Sequence, residues 1–223
     1  MDFYLDRCFF PLPLIKIIKR QKTSLPQPLS SFDCSALSRI NSFMKAQQDP
    51  PYFIKKWINA QIKEGIFLHP MSYPLEKGEI VACYAGELEL EEKKMCNQDS
   101  YTFHLLEEIV LTKKEQYLLG GEISYDPQKR YTLKVNAEKK GNFTRFINHS
   151  EKPNVMAYLT RIKKNVYGLE PSLIEIVFVA RKRIHPGCQL LIDYGQNYWA
   201  RLGVDPFPLL ENTYRLDSNL NFV

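Results

Sequence analysis

Two stretches of this 223-residue chain combine side chains that can bind and orient a ligand. The first, residues 141–150, places Arg145, Asn148 and His149 among apolar residues. The second, Asp193-Tyr194-Gly195, ends an apolar run in a tyrosine. A guanidinium pairs with carboxylates, whereas amide, imidazole and phenol groups donate or accept hydrogen bonds. Taken alone, either stretch fits equally well a buried polar cluster that satisfies backbone groups, or a turn after a strand.

The order and spacing of further short motifs make the pattern more specific, because together they resemble the SET-domain protein lysine methyltransferases. The motifs are Gly65-Ile66-Phe67, Tyr84-Ala85-Gly86-Glu87, Tyr101-Thr102-Phe103, Gly141-Asn142, Arg145–Ser150, Pro153-Asn154 and Asp193-Tyr194-Gly195. The resemblance covers roughly residues 62–199. The short chain with its helical preface and aromatic tail most resembles the small stand-alone bacterial SET proteins of the chlamydia type.

The resemblance implies a mostly β (α+β) fold, a SET-domain β-rich pseudoknot core with an N-terminal helical segment and an aromatic C-terminal tail. In such a threaded topology, which is rare, the segment 145–150 passes beside 193–195. The residues support a β-rich core, since short stretches such as 131–135 and 174–180 are rich in β-branched residues and lie between turn signals.

The chain divides into four predicted parts. Residues 1–34 are expected to be irregular because prolines interrupt them, and residues 35–63 to be a helical preface with helices over 35–48 and 51–63. Gly65 stands where a glycine ends a helix. Residues 64–199 form the SET domain, with a short acidic helix over 87–96. Residues 200–223 are an aromatic tail expected to pack near the active site.

The resemblance also implies the activity: transfer of a methyl group from S-adenosylmethionine to lysine of histones or histone-like basic proteins, with S-adenosylhomocysteine as product. Tyr194 matches the family's catalytic tyrosine, and Tyr84 supplies a second hydroxyl. In-line transfer needs a neutral amine, whereas free lysine has a pKa of about 10.4. A narrow apolar channel beside a sulfonium lowers that pKa.

Other positions carry over from the family as expected ligand contacts. The cofactor-binding residues implied are Gly65, Ile66, Phe67, Tyr101, Arg145, Phe146, Asn148 and His149. Ile192 and Trp199 are expected in the substrate channel. Many members have Phe or Tyr at the position of Ile192, which influences how many methyl groups fit, so the smaller Ile192 suggests room unless an aromatic residue of the tail fills the space.

Three departures from the family pattern qualify these expectations. Lys63 replaces the first glycine that the family usually has, and Asn136 replaces an aspartate. Glu151 stands where many members have a zinc-binding cysteine, and the five cysteines form no C-x-x-C pair, so we expect reduced thiols and no zinc.

Charge suggests the partners. An acidic cluster, Glu87, Glu89, Glu91 and Glu92, could attract a lysine-rich substrate. Five basic clusters suggest a weak contact with DNA: Lys93-Lys94, Lys113-Lys114, Lys139-Lys140, Lys163-Lys164 and Arg181-Lys182-Arg183. We further expect no membrane span, since no apolar run approaches about 18 residues, and a homodimer through the N-terminal helices. The expected location is the bacterial cytoplasm, with secretion into a host cell and its nucleus as a further expectation.

Two alternatives from other classes remain open at this stage. One is a SET-like module that binds basic protein tails without methylating them. The other is a nucleic-acid-binding protein built on the basic clusters, which predicts steeply salt-dependent DNA binding without a cofactor. The target lysine and the number of methyl groups transferred do not follow from the sequence.

Overall fold

The computed structural model describes residues 3–5, 8, 12–21, 25–93, 101–118, 125–210 and 213–223. Within these residues, short strands form two three-stranded sheets and three two-stranded pairs, with short helices on their flanks. This architecture confirms the predicted mostly β, α+β fold. The end of the predicted acidic helix, residues 94–96, lies outside the described residues.

Helices occur near the N-terminus, but their bounds differ from the prediction. Residues 12–20 form helix α1 (Leu12–Arg20) rather than irregular chain, because Pro13 lies in the first turn, where proline removes no intrahelical hydrogen bond. Helix α2 (Ser31–Lys45) begins four residues earlier than expected. The Ser30 hydroxyl caps it by accepting a hydrogen bond from the backbone N–H of Asp33 at 3.1 Å.

The apolar faces of both helices pack on the rest of the chain. Their buried side chains are Leu14, Ile17 and Ile18 in α1 and Cys34, Leu37, Ile40 and Met44 in α2. Helix α2 contacts strand β4 (Ile80–Cys83). These faces are therefore used within one chain, and dimerisation through the N-terminal helices stays a prediction.

The second predicted helix, over 51–63, is wrong. Those residues form strand β2 (Phe53–Asn59), which pairs in antiparallel fashion with strand β3 (Lys63–Leu68). The apolar residues fit a helical face in the sequence, but Trp57 is 57% exposed while Phe53 is buried, so they do not share one buried stripe. Their aromatic and β-branched character favours a strand. Gly65 consequently lies inside β3 instead of ending a helix.

The predicted acidic helix is also wrong where it can be compared. Residues 87–92 form strand β5 (Glu87–Glu92), which pairs with β7 (Tyr131–Asn136), and β7 pairs with β6 (Thr102–Ile109). The alternation of Leu88 and Leu90 with glutamates is the period-two pattern of a strand. Helix α3 (Lys113–Leu118) follows β6. Strand β6 is an edge of this sheet, whose order is β5-β7-β6.

The threaded crossing lies at the centre of the fold. After strand β8 (Lys140–Gly141, paired with β1, Phe3–Tyr4), the chain forms a 3-10 helix over Phe143–Phe146 and then strand β9 (Asn148–His149). Strand β9 pairs in parallel with β12 (Leu191–Ile192). In the sequence, the antiparallel strands β10 (Val155–Ile162) and β11 (Ser172–Ala180) come between β9 and β12. Strand β11 also pairs with β4.

Asn154 joins the two sides of the crossing with hydrogen bonds from its fully buried side chain. Its Nδ2 donates to the carbonyl of Gln189 at 2.8 Å, and its Oδ1 accepts from the backbone N–H of Leu191 at 2.8 Å. These contacts fix the segment before β12 beside the segment after β9. The pseudoknot expected from the sequence is therefore present.

Helix α4 (Gln196–Leu202) and the tail complete the fold. The backbone N–H of Leu216 donates to the carbonyl of Gly187 at 2.9 Å, and the ring of Phe222 lies 5.8 Å from that of Phe67. Leu209 is buried, and its carbonyl accepts a hydrogen bond from the Ser150 hydroxyl. The aromatic tail thus returns to the core beside the crossing.

Candidate active site

The crossing places the two polar motifs in direct contact. The backbone N–H of Tyr194 donates to Nδ1 of His149 at 3.1 Å, and the phenol of Tyr194 donates to the carbonyl of Ile147 at 2.8 Å. Residues 45 or more positions apart in the chain are therefore held at hydrogen-bond distance. The polar residues selected from the sequence do lie together.

These contacts define the protonation state of His149. Because Nδ1 accepts a hydrogen bond, the remaining proton of the neutral ring is on Nε2. Burial lowers the pKa of the imidazole, against a smaller opposing effect of the Asp193 and Glu151 carboxylates. Nε2 is buried and has no hydrogen-bond partner among the described residues, and the same is true of Nε1 of Trp199. Two buried donors thus lie close together, since the two rings are 4.8 Å apart.

Two tyrosine hydroxyls are arranged alike. The phenol of Tyr84 donates to the carbonyl of Tyr101 at 2.7 Å, as that of Tyr194 does to Ile147. Burial raises the pKa of both phenols well above the ordinary value, and for Tyr84 the neighbouring Tyr194 adds to the effect. Both therefore stay protonated at neutral pH. Because the O–H group of each phenol donates its hydrogen bond to a carbonyl, the phenol oxygen can still accept a hydrogen bond from another group.

A cavity of about 490 Å³ opens beside these phenols. Its inner wall is aromatic and aliphatic, and its outer residues are polar. The lining residues are Tyr84, Tyr101, Thr102, Phe103, His104, Glu107, Thr144, Arg145, Ile147, Phe178, Ile192, Tyr194, Gly195, Gln196, Asn197 and Tyr198. The rings of Tyr84, Phe103 and Phe178 pack within 4.7–5.7 Å of one another. We call this space the acceptor cavity.

A second cavity, of about 300 Å³, shares part of its lining with the first, and we call it the cofactor cavity. It is lined by Gln61, Ile62, Lys63, Glu64, Tyr101, Arg145, Phe146, Asn148, His149, Tyr194, Tyr198, Trp199, Phe207 and Leu209. Four residues, Tyr101, Arg145, Tyr194 and Tyr198, line both cavities. Tyr194 therefore stands between two spaces that could hold two reactants.

The contact of β3 with the crossing requires a glycine at position 65, although Gly65 is not among the described residues that line the cofactor cavity. A Cβ on Gly65 would lie 2.5 Å from Nε2 of Gln189, 2.8 Å from Cδ1 of Ile58 and 3.1 Å from Nδ2 of Asn148. The Asn148 amide itself donates to the carbonyl of Glu64 at 2.9 Å. The close approach of β3 to both strands of the crossing thus depends on the missing side chain.

The position where the family usually has its first glycine is strained here. Lys63 has φ +66°, in the left-handed region that disfavours residues with a Cβ. The strain is local to the β2–β3 turn, in which the Asn59 side chain accepts hydrogen bonds from the N–H groups of Gln61 and Ile62. In return the turn places a lysine in the lining of the cofactor cavity.

The structure separates the remaining predicted site residues. Ile66 and Phe67 are fully buried, and neither is among the described residues that line the two cavities. Arg145 lines both cavities, with its Nη1 donating to the carbonyls of Ala137 and Glu138 at 3.0 and 3.2 Å. Phe146 lies under the Lys55 ammonium, 4.3 Å from the ring centre.

Trp199 and Ile192 line different spaces. Trp199 lines the cofactor cavity, where the plane of its ring is within 12° of that of Tyr194, and Ile192 lines the acceptor cavity. The sequence did not single out Tyr198 as a site residue, although its ring lies 4.8 Å from that of Tyr194. Its closeness in the chain to Tyr194 and its place next to Trp199 were the available signals.

The acidic cluster of β5 is not an open negative surface. Lysines from neighbouring parts of the same polypeptide pair with these glutamates: Lys140 with Glu87 at 2.7 Å, Lys134 with Glu89 and Glu91 at 3.3 and 2.8 Å, and Lys129 with Glu92 at 2.8 Å. It is therefore a poor attractor for a basic tail.

Among the described residues, no group of three or more His, Cys, Asp or Glu side chains is placed to hold a metal ion. In the same part of the chain, no helix has the length and apolar character needed to cross a membrane. Lys94, in one of the predicted basic doublets, lies outside the described residues.

Comparison with known proteins agrees with the geometry. A sequence model of a family described as the SET domain matches residues 72–195, more than half of the chain. Over 129 residues, 54% of this chain, the sequence is 32% identical to the "Histone-lysine N-methyltransferase, H3 lysine-9 specific SUVH3" of Arabidopsis thaliana. The match spans 19% of that relative's length.

Solved structures give a weaker likeness. An ATXR5 SET domain in complex with methylated histone H3 has a TM-score of 0.49 and 18% identity, with 77% of this chain and 70% of that chain covered. The polycomb repressive complex 2 of Chaetomium thermophilum has a TM-score of 0.42 and 25% identity, with 66% and 15% covered.

Proposed function

The chain belongs to the SET-domain family, and on that premise we propose that it is a protein-lysine N-methyltransferase. The proposed cofactor is S-adenosylmethionine, and the proposed acceptor is a lysine of a histone or a histone-like basic protein. The observation that carries the proposal is the lining that the two cavities share, because reactants held in the two cavities would both lie next to Tyr194. Joining two reactants in this way can contribute about 7–11 kcal/mol to lowering a barrier.

The cofactor cavity fits S-adenosylmethionine in its donor groups. Lys63 and Arg145 are cations in its lining that can pair with a carboxylate. The buried N–H groups of His149 and Trp199, which have no partner among the described residues, can donate to a polar ligand. The absent side chain of Gly65 lets β3 approach Asn148 closely, and Asn148 lines the cavity. When bound, the cofactor supplies a methyl group activated by a sulfonium.

The acceptor cavity fits a neutral amine. The phenols of Tyr84 and Tyr194 donate their O–H hydrogen bonds to carbonyls, so their oxygens can accept hydrogen bonds from the N–H groups of the amine. Such bonds fix the direction of the nitrogen lone pair. The aromatic wall of Tyr84, Phe103 and Phe178 disfavours an ammonium by excluding water.

Neither phenol is a general base in this proposal. Burial raises both pKa values, so the phenols remain neutral at the pH at which a base would be needed. The acceptor therefore loses its proton to water before alignment, and the role of Tyr194 is orientation. The number of methyl groups that the acceptor lysine can carry depends on the space beside Ile192. Tyr198 lines the same cavity.

A methyl-transfer assay with radiolabelled S-adenosylmethionine tests the proposal. Core histones and a lysine-rich bacterial DNA-binding protein are the acceptors, and wild type is compared with Tyr194→Phe. Tyr73→Phe is the matched control, because Tyr73 is 92% exposed. We expect label on lysine that falls at least about a hundredfold in Tyr194→Phe, within the range typical of losing one positioned catalytic group.

Calorimetry with S-adenosylhomocysteine separates the alternatives. Cofactor binding without labelling would mean that the acceptor is a different protein. No labelling and no cofactor binding would refute the proposal and favour a SET-like module that binds basic tails without methylating them.

A further inference from the structure

The mouth of the acceptor cavity carries a carboxylate that the chemistry of transfer does not use. Among the described lining residues, the charged or titratable side chains at the outer end are His104, Glu107 and Arg145. Glu107 is the carboxylate of this set, and its side chain is 60% exposed. The Arg145 guanidinium instead donates to backbone carbonyls of residues 137 and 138.

The backbone of β6 aims Glu107 at this mouth. The register of β6 against β7 shifts between His104 and Leu106 and again between Leu106 and Ile109. Glu107 therefore falls in a bulged part of the strand, followed by Glu108 with φ +56°. Bulges next to binding sites redirect side chains that a regular strand would point elsewhere.

Glu107 is held in place but keeps an acceptor for a ligand. Its Oε1 lies 3.0 Å from Nδ1 of His104, which fixes one side of the carboxylate. A carboxylate has two oxygens and can accept several hydrogen bonds, so Oε2 remains able to bind a cation. An exposed carboxylate beside a cavity that takes a substrate lysine is suited to bind a second cationic side chain of that substrate.

We propose that Glu107 determines substrate specificity by binding an arginine or lysine side chain within three residues of the acceptor lysine. This inference rests on the proposed function. Strand β6 is a sheet edge, and a bound peptide running along it would advance about 3.3 Å per residue. Residues near the acceptor would therefore pass the mouth where Glu107 lies.

The β5 glutamates are paired with lysines, so Glu107 would take over the attraction of a basic substrate that the sequence assigned to them. Recognition of a basic sequence then depends on one carboxylate next to the reacting centre. The substrate class is narrowed from any lysine-rich protein to one in which cationic residues are clustered around the acceptor.

The test uses synthetic peptides of eleven residues with the acceptor lysine in the centre and alanine and glycine elsewhere. One flanking position at a time, from three before to three after, carries Arg, Ala or Glu. The full chain, Glu107→Gln, Glu107→Lys and Glu108→Gln are compared. Glu108→Gln is the matched control, because Glu108 is the next residue, is similarly exposed and pairs with Lys93.

Two readouts are taken for every peptide: kcat/KM for methyl transfer, and Kd from fluorescence anisotropy. For wild type we expect Arg to be favoured over Ala by about tenfold at one or more positions, a change equal to about 1.4 kcal/mol. In Glu107→Gln, the preference for the Arg peptide over the Ala peptide should fall to within about twofold. In Glu108→Gln it should stay near the wild-type value. In Glu107→Lys the Glu peptide should become the favoured one.

The outcomes separate this inference from the proposed function. If no peptide or protein is methylated and S-adenosylhomocysteine does not bind, but the ratio of Kd values for the Ala and Arg peptides depends on Glu107, the proposed function fails and the recognition role stands. If peptides are methylated with no preference for Arg, or with a preference that Glu107→Gln keeps, the recognition role is overturned while the enzyme remains. If no peptide binds wild type, the recognition role is overturned as well.

Discussion

The backbone N–H of Tyr194 donates to Nδ1 of His149 at 3.1 Å, so the proposed catalytic residue and the proposed cofactor site share a hydrogen bond. The bond requires the neutral imidazole, since a protonated ring has no acceptor. It also sets which ring nitrogen carries the proton in the cofactor cavity. The state of one buried ring therefore affects both halves of the site.

Stability should fall as the pH drops through the titration range of His149. Because burial lowers its pKa in the folded chain, the unfolded chain binds more protons below its own pKa of about 6.5. The free energy of unfolding therefore increases with pH in the window just below that value. Urea denaturation at pH 5.5 and 7.5 measures the difference. His149→Asn, which cannot titrate, should show a smaller difference than wild type.

His185→Asn is the control for this measurement, because His185 is exposed. It should retain the pH dependence of wild type. If His149→Asn retains it too, the buried imidazole is not its source.

Asn154→Ala should destabilise the crossing strongly. The change removes two hydrogen bonds and leaves the backbone N–H of Leu191 and the carbonyl of Gln189 in a buried site without those partners. The expected loss is about 3 kcal/mol in the free energy of unfolding. Urea denaturation of Asn154→Ala measures it, with Asn165→Ala as control. Asn165 lies on an exposed loop, where a change within about 0.5 kcal/mol is expected. Equal losses in the two variants would contradict the role of Asn154.

Gly65→Ala should weaken both the fold and cofactor binding. The new methyl group would stand 2.5 Å from the amide of Gln189, which is fully buried and cannot swing into solvent. Overpacking of this kind costs about 1–3 kcal/mol. Denaturation gives the loss of stability, and calorimetry with S-adenosylhomocysteine gives the loss of affinity.

A double-mutant cycle checks the cause of the Gly65 effect. Gln189→Ala shortens the side chain that the new methyl group meets, so the two changes should be less damaging together than the sum of each alone. Strict additivity would show that the contact with Gln189 is not the reason.

Lys63→Gly should separate stability from binding. The left-handed conformation costs a residue with a Cβ roughly 1–2 kcal/mol, whereas glycine loses roughly 0.5–1 kcal/mol in flexibility on folding. The variant should therefore unfold with a free energy higher by about 0.5–1 kcal/mol. It should also bind S-adenosylhomocysteine more weakly, because a cation leaves the cofactor cavity. Lys63→Met, which keeps the strain and loses the charge, should show the weaker binding alone. Unchanged affinity in both variants would exclude Lys63 as a cofactor contact.

The sequence predicted the residues of the crossing better than the elements that support it. Asn148, His149 and Tyr194 could be found because their polar types recur in a fixed order, and the structure brings them together. The β2–β3 hairpin could not, since its apolar residues fit a helical spacing as well as a strand. In the strand, Gly65 lies against both sides of the crossing, at Asn148 and Gln189. Such contacts join residues that are far apart in the sequence, so a local pattern cannot predict them.

The acidic stretch shows the same limit for function. Glu87, Glu89, Glu91 and Glu92 look like an open attractive surface in the sequence, but the sheet brings Lys134, Lys140 and Lys129 against them. Glu107, whose only acidic neighbour in the sequence is Glu108, lies in a part of β6 where the register shifts and lines the acceptor cavity. Pairing across strands, rather than composition, decides which charges remain available.

The parallel pairing of β9 with β12 has a consequence for how the protein is made. A ribosome releases the chain from its N-terminus, so β9 emerges more than forty residues before the strand with which it pairs. Neither cavity has its shared wall until Tyr194 and Tyr198 have left the exit tunnel. Both cavities therefore remain incomplete until residues 191–198 have been synthesised and β12 has paired with β9.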